Sequence, residues 1–281
     1  MDKLAQSGRV LFAVALIAYG ADDFACAHFG LAVRGVPWFP VTPFFGYLMG
    51  IVLISAAFAI LANFRVRTIA TLLGILFLLL VLFREVTAVI ARPMSIGVRT
   101  VFFETLSMSA IALMLASILP KESSAPSPWD TVLDKLLRTG PYLFAVSLIV
   151  FGIDHFLIIP FIASLVPAWI PAKMFWAYFT GAAFITAGLS IATRKLDEHA
   201  GTWFGIMFLL WFVLLHSPRV VNSFRIHDPN LPDEWSSAFI AVAMCAGGWL
   251  VACRAHQRHQ ASVGLERKAT LAAMPVNGVR S

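Results

Sequence analysis

Apolar residues run along this chain in eight blocks of 18 to 25 residues, at about 9–33, 43–62, 68–90, 98–119, 140–163, 172–193, 201–221 and 236–253. A helix rises about 1.5 Å per residue, so each block can cross roughly 30 Å of hydrocarbon. Backbone groups in lipid must pair within their own segment, which leaves helix as the state for all eight. The pattern therefore predicts an all-α polytopic membrane protein with eight transmembrane helices.

The blocks also repeat. YGADDF at 19–24 answers FGIDHF at 151–156, and VPWFP at 36–40 answers VPAWIP at 166–171. Tyr47 and Gly50 then answer Tyr178 and Gly181, and every offset stays within 130 to 132 residues. A constant offset over this length identifies a duplicated unit. Each unit holds four spans, so both copies enter the membrane from the same side. The expectation is two parallel-repeat four-helix bundles, related by an axis along the membrane normal. Residues 1–119 form the first repeat and 140–254 the second. Between them, the Ser/Pro-rich stretch 120–139 reads as a linker, with a short interfacial helix over 129–138. Residues 255–281 read as a disordered cytoplasmic tail.

Composition agrees with the pattern. The 281 residues are 59% hydrophobic and only 13% charged, where a soluble surface needs roughly 25% charge. A net charge of +6 would otherwise suggest nucleic acid, but the cations sit mainly in short loops and the tail, where they set topology. With the N-terminus inside, 14 basic residues face the cytoplasm and six face out, with Arg84 left inside the third span. Both termini are thus expected inside. Trp38, Trp169 and Trp235 fall at outer span ends, where an amphipathic ring prefers the headgroup layer. The first span imitates a signal peptide, yet its counterpart in the second copy is internal, so it reads as a retained span.

The three cysteines, Cys26, Cys245 and Cys253, form no C-x-x-C pair. In one helix the last two lie roughly 12 Å apart, too far to bridge. The chain therefore lacks the paired thiols of a membrane dithiol oxidase, and no phosphate loop, nucleophile elbow or H-E-x-x-H motif appears.

Ionisable groups at membrane depth are costly, about 2.5–3.5 kcal/mol each on insertion scales, and need a partner or a role. The first half places Asp22, Asp23 and His28 in its first span, Arg84 and Glu85 in its third and Glu104 in its fourth. The second places Asp154 and His155 in the fifth span, and His216 with Arg219 in the seventh. By helical rise, Asp22 lies roughly 20 Å and Arg84 roughly 24 Å from the inner ends of their spans. Each bundle is therefore expected to hold a carboxylate against a cation of its third helix: Asp22 or Asp23 with Arg84, and Asp154 with Arg219 or His216. Such a pair can fix helix register alone, line a polar pocket for a quinone or small anion, or relay protons. Haem ligation by two of His28, His155 and His216 would need facing helices at matched depth. No zinc-ligand spacing is present.

Gly152, Asp154, His155 and Phe156, followed by Val166, Pro167, Trp169 and Pro171 and then Tyr178 and Gly181, form a pattern that resembles the DoxX-like family of bacterial membrane proteins. It covers about 139–254 well and the first half loosely, where Asp23 stands in place of His155. Family members look like single four-helix units, so the resemblance implies a tandem fusion in the bacterial inner membrane. It further implies a partner subunit of a quinone-linked redox system, working with a soluble redox enzyme, and does not imply that this chain catalyses a reaction. A small-solute carrier built from parallel repeats, and a scaffold without a ligand, remain open.

Overall fold

The computed structural model describes residues 1–26, 43–122, 127–228 and 230–273. His28, Arg34, the 36–40 turn with Trp38, and residues 274–281 lie outside the described residues. Within them the chain is helical and carries no strand.

Eight helices are long and apolar enough to span a membrane. Four belong to the first half. These are α1 (Asp2–Cys26), α2 (Pro43–Leu61), α3 (Val66–Leu80) and α5 (Ile96–Ser117). A π-helical segment, Val81–Glu85, and the short α4 (Val86–Ala91) prolong α3 into one span. The second half contains α6 (Asp130–Leu157), the short α7 (Ile159–Leu165), α8 (Lys173–Thr193) and α9 (Asp197–Trp211). A second π segment, Phe212–His216, and α10 (Ser217–Arg225) prolong α9, and α11 (Leu231–Ala273) closes the chain.

Two boundaries differ from expectation. The amphipathic stretch 129–138 is no separate interfacial helix, because α6 starts at Asp130 and runs unbroken through Pro141 to Leu157. The tail is helical to Ala273 where disorder was expected from 255. Its residues are mainly Ala, Gln, Glu, Arg and Lys, which favour helix, and the first proline after Cys253 is Pro275.

The spans form a closed ring in chain order: α1, α2, α3, α5, α6, α8, α9, α11 and back to α1. Inside the ring α5 also packs on α11. The first helix of each half thus lies against the last helix of the other, α1 on α11 and α6 on α5. Those two last helices are the most deeply buried spans, and one apolar core runs through both halves, from Phe12 and Leu16 through Ile111 and Met114 to Phe144 and Leu250.

Local features recur between the halves with the spacing of the sequence motifs. Both α3 and α9 give way to a π segment after 15 residues. The short loops before α3 and α9 carry left-handed residues in register, Asn63 and Arg65 in one and Arg194 and Leu196 in the other. Glycines meet at matching crossings. A Cβ on Gly20 would lie 2.9 Å from the Gly50 carbonyl oxygen, and one on Gly152 would lie 2.7 Å from that of Gly181. Only glycine lets these backbones touch, so α1 crosses α2 as α6 crosses α8.

Candidate functional site

The π segments position the polar groups. One extra residue in a helical turn re-aims every side chain after it and frees backbone carbonyls, and such bulges concentrate at functional sites. Nearby hydroxyls add bonds to backbone carbonyls here. Thr87 donates to the Arg84 carbonyl at 2.6 Å and Ser217 to that of Phe212 at 2.8 Å. Pro218, which has no N–H to give, helps hold the second bulge open.

That second bulge brings His216 to the cavity lined by His155. The cavity, about 190 Å³, lies between α6, α8 and the π segment, walled by Thr180, Phe184, Phe208 and Trp211 among others. His155 Nδ1 is engaged by the Phe151 carbonyl oxygen at 2.7 Å, and its ring lies 4.9 Å from that of Phe184. His216 Nδ1 is buried and has no hydrogen-bond partner among the described residues. A buried polar atom without a partner is costly, so this nitrogen is the natural place for a ligand's polar group. Thr180 Oγ1 donates to backbone carbonyls of its own helix at 2.9 and 3.1 Å, which leaves it as an acceptor.

Trp176 and Trp211 stand edge to face, ring centroids 6.1 Å apart, and line both this chamber and a second cavity. The second cavity is an apolar groove of about 690 Å³ between α8 and α9. Its rim includes Trp169 and Trp203, each 67% exposed, and Phe179. On a membrane-spanning body exposed apolar side chains of this kind face lipid. The arrangement is a small, mostly apolar chamber that carries His155, His216 and Thr180, beside a lipid-facing groove with which it shares Trp176 and Trp211.

In the first half the matching positions gather carboxylates instead. Arg84 donates to Glu85 Oε1 at 2.8 Å, and both side chains are almost fully buried. Glu85 Oε2 has no hydrogen-bond partner among the described residues. Asp23 is within electrostatic reach of Arg84, Glu104 of Glu85, and Tyr19 of both Glu104 and Asp22. Asp22 also accepts from Ser236 of α11, at 3.5 Å. Arg84 thus lies within electrostatic reach of Asp23, as expected of a first-span acid, and also bonds Glu85.

In the second half the expected partners are wrong. Asp154 is bound by Arg99 of α5, whose Nε lies 3.0 and 3.2 Å from the two carboxylate oxygens and whose Nη2 also donates. Arg219 pairs with Glu234 of α11, Nε to Oε2 at 2.8 Å. Both corrections share one cause: each acid or cation of one helix turns toward a neighbour that hydropathy places at a span edge. Arg99, Glu234, Trp176, Trp211 and Thr180 were missed as site residues. Of these, only the tryptophans gave a signal, as large aromatics inside or beside spans.

Among the described residues no group of three His, Cys, Asp or Glu side chains could hold a metal ion. Cys245 is a buried free thiol, and Cys253 is buried in the same helix. Comparison of the chain with protein-family models, with curated proteins and with solved structures gives no match.

Proposed function

We propose that this chain is a quinone-binding membrane subunit of a redox system, built as a head-to-tail duplication of a DoxX-like four-helix unit and working with a soluble redox enzyme. One observation carries the proposal: the His155/His216 chamber and a lipid-facing apolar groove lie side by side and share Trp176 and Trp211 as lining. A quinone has this division, a flat polar head and a long apolar tail delivered from the bilayer. An imidazole nitrogen donates in one tautomer and accepts in the other. His216 can therefore bond a quinone carbonyl, which accepts, and a quinol hydroxyl, which donates. Aromatic walls suit a flat ring. The basic residues, concentrated on the side of the termini, favour the bacterial inner membrane with both termini in the cytoplasm.

The test uses purified full-length chain in nanodiscs and a short-chain ubiquinone analogue. A ligand that binds only the folded state raises stability with its concentration, by about 2.7 kcal/mol at a hundred times Kd. The expected result is a saturable rise in Tm that is largely lost in His216→Phe. An equal rise with a headless alkyl chain of the same length would sink the proposal.

A carrier for a small solute is the alternative, favoured by the unpartnered Glu85 Oε2 beside Arg84. Solute-dependent stabilisation, abolished by Glu85→Gln and indifferent to quinone, would select it. A scaffold would show neither effect.

A further inference from the structure

The cations at the end of the body where Met1 meets Cys253 are distributed unevenly. Beneath the first half Arg67 and Lys121 are paired with acids. Arg67 pairs with Asp134 at 3.1 Å, Lys121 reaches Asp130 and Asp134 at 3.4 Å each, and Glu122 accepts from the Arg67 and Thr68 backbone. Arg9 is held by Asn63 at 2.6 Å.

Beneath the second half lies a chamber of about 440 Å³ where the end of α5 and the α8–α9 turn meet the sides of α6 and α11. Arg138, Arg194, Arg254 and Arg258 all line it, with Asp197 as its one carboxylate. The buried Asp197 grips the Arg258 guanidinium at 2.8 and 3.0 Å, which fixes that arginine at the wall. Arg194 is steadied by its guanidinium lying 5.4 Å from the centre of the Tyr142 ring. Arg254 is half-buried within electrostatic reach of the other three arginines. Among the described residues neither Arg138 nor Arg254 pairs with an acid. Four guanidiniums around one cavity, two of them braced by contacts that leave donors free, are a receptor for a multivalent oxyanion. Planar forked donors match phosphate oxygens bidentately.

We propose that this chamber binds a phosphate group, with Arg138 and Arg254 as the principal ligands and Arg194 and Arg258 as braced flanking donors. Its place at the ends of α5, α8 and α9 puts it at headgroup level, where basic pockets between spans take anionic lipid heads. A free phosphate from the aqueous side has the same chemistry. The site lies outside the quinone chamber and shares no lining residue with it.

The experiment compares full-length chain in nanodiscs of phosphatidylcholine alone, in the same discs with inorganic phosphate, and in discs containing phosphatidylglycerol. Tm is read for wild type, Arg138→Gln/Arg254→Gln and Arg267→Gln, the last on the exposed surface of α11. In neutral discs without phosphate the double variant should be at least as stable as wild type, because it relieves repulsion among like charges. A merely structural pair of arginines would lower that baseline. Wild type and Arg267→Gln should gain stability from one anion source, and the double variant should require about tenfold more anion or more for the same gain. A gain confined to phosphatidylglycerol assigns the site to a lipid headgroup; a gain with inorganic phosphate assigns it to a soluble phosphate. No gain from either source, or an equal gain in the double variant, overturns the proposal.

Discussion

Arg99→Gln is expected to lower stability by about 3 kcal/mol, read as a shifted midpoint in reversible unfolding with increasing sodium dodecyl sulfate. The reason is the partner left behind. Asp154 is buried, its side chain 6% exposed, and the contact is two-pronged. Removing one member of a buried pair strands the other charge in low dielectric, which costs about 3–5 kcal/mol. The lower end applies because the Arg99 side chain remains 28% exposed and partly solvated. Asp154→Asn added to Arg99→Gln should recover most of the loss, since no ion is then stranded. Equal losses in the single and double variants would show that the arginine stem, and not the charge pair, supports the structure. The contact ties α5 of the first half to α6 of the second, so the single variant should also loosen the two halves.

The second large effect concerns a single methyl group. Gly152→Ala places a Cβ 2.5 Å from Ile185 Cγ1, 2.7 Å from the Gly181 carbonyl oxygen and 3.1 Å from the Ile185 nitrogen. Two of those neighbours are backbone, so relief requires α6 and α8 to part along their crossing. Overpacking of this kind costs about 1–3 kcal/mol. Gly97→Ala is the internal control. It lies in α5 with nothing within 4 Å of the added carbon, and alanine there should stabilise the helix by roughly 0.5–1 kcal/mol. The same substitution should therefore change sign between the two positions. If Gly152→Ala also stabilised the chain, the close crossing would be refuted.

Hydropathy made the eight spans legible because length and apolarity decide membrane crossing, whatever the packing. Each observed span overlaps the block that predicted it. Gly20 and Gly152, which the motif offsets singled out, each stand where two spans cross closely. What hydropathy could not carry is rotation about each helix axis. In lipid, apolar residues surround a span on all sides, so periodicity does not say which face meets which neighbour. The π segments add to this. One unmarked extra residue re-aims His216 and Arg219, which is why Arg219 finds Glu234 and not Asp154. Arg99 lies one residue inside an apolar block, where nothing in the sequence marks it as the holder of the other half's buried acid. The meeting of α1 with α11 and α6 with α5 is long-range and leaves no trace in a window of twenty residues.

The His155/His216 chamber and the apolar groove beside it are the features on which the functional proposal rests, and labelling tests them most directly. A short-chain azidoquinone, irradiated with full-length chain in nanodiscs and mapped by peptide mass spectrometry, is expected to mark α8 and α9 around Trp176 and Trp211. Excess unlabelled quinone should suppress the labelling. Labelling spread evenly over the lipid-facing helices, undiminished by that competitor, would contradict a quinone site in this protein.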